Sequence, residues 1–172
     1  MDSGPLFQRP KRGLYLAYDH GRDEGAYSSF ARHFSSLFRL RRDNSLEREL
    51  GAEDAEGHIR LLREGPMADC DCAVVLCGAA TPLSKFVDWE IKAALDGRLG
   101  LIGVVLPSNP GGPRDPVLPE RLRRNFDGGY AVVIRSDELL EGRVDLGSRV
   151  DFALHRPLET LDNALPPLAR DG

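Results

Sequence analysis

The chain has 172 residues, 41% of them hydrophobic and 29% charged, with a formal net charge of −4. This length and composition predict one globular domain, and the acidic balance excludes a general nucleic-acid binder, which needs a basic face. No apolar stretch is long enough to span a bilayer and no signal peptide is recognisable, so we expect a cytoplasmic protein without a membrane partner.

Cysteine and histidine usage gives no indication of a metal centre or of a disulfide framework. The three cysteines are an odd number, and their spacing matches no zinc motif. The four histidines are scattered along the chain. We therefore predict no metal site, and buried free thiols at Cys72 and Cys77.

The first part of the chain predicts a tail, a strand, a helix and a second strand. Residues 1–12 are rich in Gly, Pro and charge and are expected to form a flexible tail. Residues 13–18 predict a strand, followed by a polar loop at 19–25. Apolar residues at three- and four-residue intervals over 27–38 predict an amphipathic helix. The basic cluster at 39–42 is interpreted as a short strand end or a solvated face rather than a phosphate site.

The middle of the chain predicts a turn at 43–46, a helix at about 55–65 and a strand at 73–77. The strand is continuous in apolar residues, as expected for burial on both faces of a sheet. Thr81 and Ser84 are alternative starts for the next helix, since either hydroxyl can cap its N terminus.

Helical periodicity separates the residues after Ser84 into two faces, with one exception. One stripe faces the core, and the opposite, charged side is predicted to be solvated. Glu90 belongs to neither face and falls on a flank of apolar and small neighbours. A carboxylate in such a position is a candidate catalytic or binding residue. The alternative is that Glu90 lies at the boundary of the core and reaches solvent. The core stripe comprises Val87, Ile91, Ala94 and Leu95, and the charged side comprises Lys85, Asp88, Lys92 and Asp96.

The remainder of the chain predicts strands at 101–106 and 130–134, separated by a proline-rich loop and a short helix around 120–124. A weakly helical tail begins near residue 148. Alternating strands and helices with fully apolar strands predict an α/β domain. We expect a three-layer flavodoxin-like fold with a central parallel five-stranded sheet in the order 2-1-3-4-5.

In that topology the ligand crevice lies beyond the carboxyl ends of the first and third strands, where the strand order reverses. Tyr18, Asp19 and His20 follow the first strand. The loop at 78–84 follows the third strand and leads to Glu90. The topology therefore directs both segments to one cleft.

Missing motifs exclude several activities found on such folds. The third strand ends Leu76-Cys77-Gly78 and lacks the acidic residue that a phospho-receiver domain needs. The chain also has no P-loop for nucleoside triphosphates and no Gly-x-Gly-x-x-Gly motif for dinucleotides. It has no Gly-x-Ser-x-Gly elbow, so a serine hydrolase is excluded. What remains is the chemistry of a single carboxylate, which can stabilise an oxocarbenium-like transition state, attack an anomeric carbon or hold ribose hydroxyls. A positively charged nicotinamide is a leaving group that needs no general acid, so one glutamate suffices.

Four segments resemble the bacterial TIR-like domains, and among them the TIR (ThsB-like) component of Thoeris antiphage defence. The resemblance covers residues 13–135, the expected TIR-like domain, and leaves 136–172 as a C-terminal extension packed on the domain or trailing it. The segments are Ala17-Tyr18-Asp19-His20, the Asp43-Asn44-Ser45 turn, the strand at 73–78 and the block Thr81-x-x-Ser84-Lys-x-Val87-Asp-Trp89-Glu90-Ile91.

The resemblance implies an enzyme that cleaves NAD⁺, with Glu90 as the catalytic residue that binds ribose hydroxyls and stabilises the cationic transition state. Such an enzyme would release nicotinamide and make an ADP-ribose-derived signal, cyclic or conjugated, for a separate effector protein. NAD⁺ is the substrate in this scheme, and no cofactor is expected. A phage-derived trigger and a homo-oligomer are the further candidate partners.

The resemblance also implies a set of substrate-binding residues. Ser84 would line the pocket mouth, with a plain N-cap as the alternative. Trp89 would either stack on nicotinamide or pack against a neighbouring loop. Asp43 and Asn44 would reach the adenosine side, unless they only build the turn. The residues expected at the pocket floor and against the dinucleotide are Tyr18, Asp19 and His20.

Two other functions stay open at the level of the sequence. The first is a non-catalytic TIR-like interaction module, which would tolerate glutamine in place of Glu90. The second is a nucleoside deoxyribosyltransferase-like enzyme, which also uses a glutamate on a flavodoxin-like fold and would exchange purine or pyrimidine nucleosides. The polar base-binding motifs expected of that second class are not visible in this sequence.

Overall fold

Five parallel strands form the centre of the fold, in the order β2-β1-β3-β4-β5. The computed structural model describes residues 9–42 and 54–169, so the predicted turn with Asp43 and Asn44 lies outside the described residues. The strand order confirms the predicted flavodoxin-like α/β architecture. The strands are β1 (Gly13–Ala17), β2 (Arg39–Arg41), β3 (Cys72–Cys77), β4 (Gly100–Val105) and β5 (Val132–Arg135).

Helices lie on both faces of the sheet. They are α1 (Glu24–Phe34), α2 (Ala55–Glu64), α3 (Lys85–Asp96), α4 (Glu120–Asp127), α5 (Ser136–Leu140) and α6 (Leu146–Leu154), with 3₁₀ turns at Thr81–Leu83 and Leu158–Thr160. The end of the first helix, which the sequence pattern left open, lies at Phe34, and Leu37 beyond it is 63% exposed. None of the helices described in 9–42 and 54–169 is long and apolar enough to cross a membrane.

The sheet is buried on both faces, which explains the continuous apolar runs of its central strands. Every residue of β3 and β4 is buried. Val75 lies in the core shared with α2, α3 and α4, whereas its neighbour Val74 lies in the core shared with α1 and α6. Burial of one such side chain stabilises the fold by about 1.5–3 kcal/mol, so both helical layers are held to the sheet by apolar packing.

The two predicted capping residues before α3 have different roles. Ser84 is the N-cap of α3, and its hydroxyl accepts a hydrogen bond from the Val87 N–H at 3.4 Å. Thr81 begins the preceding 3₁₀ turn, where its hydroxyl accepts from the Gly78 N–H at 2.9 Å and donates to the Leu76 carbonyl at 3.0 Å. The loop after β3 is therefore fixed by Thr81, and the helix starts one turn later.

The charged side of α3 is not fully solvated, and the prediction for Asp88 is wrong. Asp88 is buried and forms a two-pronged ion pair with Arg121 of α4, with Nε–Oδ1 and Nη2–Oδ2 distances of 2.9 and 3.2 Å. Arg121 is 1% exposed. Helical periodicity places Asp88 opposite the core stripe, but it contains no information about the elements that cover that side.

An irregular segment at 161–168, which we call the C-terminal strap, covers this side of α3. The Arg121 Nη1 donates to Asn163 Oδ1 at 2.9 Å and to the Leu165 carbonyl at 2.8 Å, and Nη2 donates to the Pro166 carbonyl at 3.0 Å. The extension predicted at 136–172 thus contains α5, α6 and a strap that packs on α3 and α4.

We predict that Arg121→Met lowers the free energy of unfolding by about 3–5 kcal/mol, because it leaves the Asp88 carboxylate buried without its charged partner. Urea denaturation followed by circular dichroism measures this loss. The matched control is Arg124→Met on the same helix, where the arginine is 43% exposed and pairs with Glu120 at the surface. That variant should cost less than about 1 kcal/mol. Equal losses in the two variants would contradict a structural role for the buried pair.

Candidate functional site at the carboxyl ends of β1 and β3

The loops that follow β1 and β3 meet through a buried acidic side chain. Asp23 is 6% exposed, and one of its oxygens lies 3.5 Å from the Thr81 hydroxyl. Its carboxyl group also lies against the backbone of Gly78, where an added Cβ would come within 2.6 Å of Asp23 Oδ1. A side chain at position 78 would force the Asp23 carboxyl group to shift, so Gly78 permits this close approach of the two loops.

Burial raises the pKa of Asp23, and the nearby Asp19 carboxylate raises it further. The hydrogen bond from Thr81 opposes the shift but does not cancel it. The Thr81 hydroxyl has a single proton, and the Leu76 carbonyl is the closer acceptor at 3.0 Å. Asp23 therefore holds a proton more readily than an exposed aspartate does.

Aromatic rings stack beside this junction. The rings of Tyr18 and His20 are 4.3 Å apart with an interplanar angle of 26°, and those of Tyr18 and Tyr27 are 5.1 Å apart at 10°. The Tyr18 hydroxyl donates a hydrogen bond to Glu24 Oε2 at 2.7 Å. Two of the predicted pocket residues, Tyr18 and His20, thus lie in contact at the end of β1. Their role in binding substrate stays a prediction.

Arg42 belongs to the same cluster, although the sequence interpretation assigned it to a strand end or a solvated face. Its guanidinium donates to the Tyr18 hydroxyl and to Glu24 Oε1, the latter at 2.6 Å, and lies 4.0 Å from the centre of the Tyr27 ring. The hydrogen bond from Arg42 lowers the pKa of Glu24. Burial is the main cause of the raised pKa of Tyr18. The position of Arg42 directly after the second strand could have identified it, because that strand ends at the same edge of the sheet.

Asp19 and Ser84 both have local structural roles. Asp19 Oδ1 accepts hydrogen bonds from the backbone N–H groups of Gly21 and Arg22 at 3.0 and 3.1 Å, which makes an Asx turn. Ser84 caps α3 as described above. Neither arrangement tests a contact with substrate, so the predicted binding roles of these two residues stay predictions.

Glu90 lies in the second turn of α3 and is 2% exposed. Neither of its carboxylate oxygens is exposed to solvent. The alternative of a boundary glutamate that reaches water is therefore wrong, and the prediction that Glu90 stands apart from the charged face agrees with its burial. A carboxylate in such surroundings interacts more strongly with a nearby positive charge than one in water does.

Trp89 packs in the protein interior. It is 1% exposed, and its ring lies 5.4 Å from the rings of both His58 and Phe86. The indole N–H donates to the Leu168 carbonyl of the strap at 2.8 Å. This is the loop packing that the sequence offered as the alternative to nicotinamide stacking.

The cysteines of the described residues do not have the lowered thiol pKa of a reactive cysteine. Cys72 and Cys77 are buried free thiols, and burial raises the pKa of each to about 12. Among residues 9–42 and 54–169, no group of three or more His, Cys, Asp or Glu side chains could hold a metal ion.

The all-parallel five-stranded sheet with helices on both faces is the α/β architecture of TIR-like proteins. Residues 15–110, more than half of the chain, match the family described as Thoeris protein ThsB, TIR-like domain. The chain belongs to this family and is thus a Thoeris TIR-like defence protein, which confirms the resemblance seen in the sequence. The matched range includes Glu90 and ends before α4 and the strap. No curated protein matches the chain.

We predict that Gly78→Ala separates the loops after β1 and β3 and lowers the free energy of unfolding by about 1–3 kcal/mol, because the new methyl group clashes with the Asp23 carboxyl group. Gly25→Ala in α1 is the matched control, since a Cβ there meets open space among the described residues. That control should be neutral or more stable by about 0.5–1 kcal/mol. Thermal and urea unfolding distinguish the two variants, and an equally stable Gly78→Ala protein would contradict the close approach.

We also predict that Asp23→Asn removes part of the pH dependence of stability. Because the fold raises the pKa of Asp23, its stabilising contribution is complete below the pKa of the unfolded chain, near 3.9, and is lost as pH rises through the higher value of the folded state. Asparagine keeps the shape of the neutral acid. The free energy of unfolding of the variant, minus that of the wild type, should therefore increase from acidic to neutral pH. A constant or decreasing difference in urea titrations would refute this.

Proposed function

We propose that this protein is an NAD⁺-cleaving TIR enzyme of antiphage defence. It releases nicotinamide and converts the ADP-ribose portion into a cyclic or conjugated signal, which activates a separate effector protein. The observation that carries the proposal is the burial of Glu90 on α3, the helix that follows the crevice loop of β3. A buried carboxylate at this point suits the stabilisation of a transient cation.

The proposed chemistry needs one negative charge and a good leaving group. The bond between the ribose anomeric carbon and the nicotinamide nitrogen breaks, and its electron pair leaves with nicotinamide, which departs as a neutral molecule. The Glu90 carboxylate stabilises the oxocarbenium-like centre that develops on the ribose. Water or another hydroxyl then bonds to that carbon and loses its proton, and the choice of this acceptor decides between hydrolysis, cyclisation and conjugation.

The cluster at the end of β1 is the proposed binding surface for the rest of the dinucleotide. The 1%-exposed Tyr18 ring supports the stacked rings of His20 and Tyr27, and Asp19 shapes the loop beside them. Arg42 adds a cation at the same edge of the sheet, and its guanidinium geometry suits a phosphate oxygen. Ser84 remains the proposed residue of the pocket mouth.

Access to Glu90 requires movement, since its carboxylate oxygens are covered. NAD⁺ can reach the carboxylate only after side chains that cover it have shifted. We therefore propose that the isolated protein is held in a resting state and that infection or assembly into an oligomer opens the site. For this reason the activity is best measured both with the purified protein and in lysate from phage-infected cells.

We predict that Glu90→Gln abolishes nicotinamide release, with a loss of at least about 100-fold, because the amide cannot stabilise the ribosyl cation. Mass spectrometry of NAD⁺ and its products, in buffer and in infected lysate, measures the loss. The matched control is Glu64→Gln at the exposed end of α2, which should retain the activity of the wild type.

The same experiments can also exclude catalysis. If NAD⁺ stays intact under every condition while Glu90→Gln still protects cells from phage, catalysis is excluded. The protein would then act as a TIR-like interaction module. Loss of activity in both glutamine variants would also count against a specific role for Glu90.

A further inference from the structure

We infer that the C-terminal strap positions Glu90 through α3, an inference that rests on the proposed function for its catalytic consequence. Leu168 of the strap contacts the two residues that directly precede Glu90. Its N–H donates to Asp88 Oδ2 at 2.9 Å, and its carbonyl accepts from the Trp89 indole at 2.8 Å. One strap residue thereby fixes two consecutive side chains of the helical turn that carries Glu90.

The strap also holds the last turn of α3. Asn163 donates to Asp96 Oδ1 at 2.7 Å and to the Lys92 carbonyl at 3.4 Å. Together with Leu168, these contacts extend along the side of α3 that faces away from the sheet. The helix is thus held between the apolar core on one side and the strap on the other.

Arg121 connects the strap to α3 and α4 through all of its hydrogen-bond donors. A guanidinium has five N–H groups. Two donate to the Asp88 carboxylate, and the other three donate to Asn163, Leu165 and Pro166 of the strap. Because each donor is used once, the strap can take only one position without leaving a buried donor unsatisfied.

The contacts that hold the end of the strap are polar rather than apolar. Leu168 is 40% exposed, although its backbone is bonded on both sides, and Pro166 is exposed as well. A segment with little apolar burial can open locally without unfolding the core. These polar contacts restrain α3 in addition to its packing on the core, and Leu161 at the start of the strap itself packs against that core. The strap lies beyond the matched range of 15–110.

Catalysis depends on how precisely a catalytic group is held in position. A misplacement of about 1 Å in a catalytic group can cost about 100-fold in rate. A strap that fixes the turn of Glu90 would therefore affect the rate of bond cleavage more than the affinity for NAD⁺. This expectation separates positioning from a contact with substrate.

The test uses substitutions in the strap of the full chain. Leu168→Pro removes the N–H that donates to Asp88, and its matched control Leu168→Ala removes the exposed side chain but keeps both backbone groups. Combining Leu168→Pro with Asn163→Ala removes the strap's donors to Asp88, Asp96 and the Lys92 carbonyl, and keeps the Leu168 carbonyl that accepts from Trp89. Trp89 is the single tryptophan of the chain, so its fluorescence reports directly whether the strap is in place.

We expect a red-shifted Trp89 emission in the double variant and amide exchange over residues 88–92 that is at least about fivefold faster, which corresponds to about 1 kcal/mol. The kcat for nicotinamide release should fall by about tenfold or more, with KM changed by less than about threefold. Leu168→Ala should match the wild type in all three measurements.

Each contrary result overturns a defined part of the inference. Unchanged fluorescence in the double variant would show that these contacts do not hold the strap. A released strap with unchanged exchange in α3, or with unchanged kcat, would show that it does not position Glu90. If the wild type releases no nicotinamide either in buffer or in lysate from phage-infected cells, the proposed function fails, and the exchange measurement still decides whether the strap fixes α3.

Discussion

The buried guanidinium of Arg121 is the constraint on which the outer side of the site depends. A charge that is 1% exposed is tolerated only where every donor finds an acceptor and an opposite charge lies beside it. Asp88 supplies the charge, and the C-terminal strap supplies three further acceptors. The helix α3, the helix α4 and the strap must therefore come together in one arrangement. This requirement joins a segment near the C terminus to the helix that carries Glu90.

A second constraint operates on the other side of the crevice, where Asp23, Gly78 and Thr81 bring together the loops that follow β1 and β3. The strand order reverses between these two strands, which is the point of a doubly wound sheet where ligands commonly bind. The absence of a side chain at Gly78 allows the Asp23 carboxyl group to approach the backbone, and Thr81 fixes the turn around it. The contacts around Asp23 determine the position of the loops after β1 and β3, and those around Arg121 determine the position of α3.

The sequence predicts the sheet well because the property that builds it is local. Strands buried on both faces must be apolar throughout, so β3 and β4 are visible as continuous runs, and their alternation with helices determines a parallel order. The sequence-based predictions that are wrong concern which elements pack against the outer side of a helix. The charged side of α3 was expected to be solvated, yet Asp88 is buried, because its cover is formed by residues more than 30 positions away in α4 and in the strap. Arg42 was interpreted as part of a strand end or a solvated face for the same reason, since its partners Tyr18 and Glu24 come from another part of the chain.

Under the proposed function, burial of Glu90 has two opposing effects. A carboxylate held in a fixed position and away from water stabilises a developing ribosyl cation without first reorganising its surroundings. The same cover prevents NAD⁺ from reaching it. An enzyme of a defence system gains from this opposition, because cleavage of NAD⁺ in an uninfected cell would be harmful. Opening the site should therefore move the cover and leave the helix in place. The strap fits this need, since it holds α3 from the side away from the sheet and lets other elements move while the turn of Glu90 stays fixed.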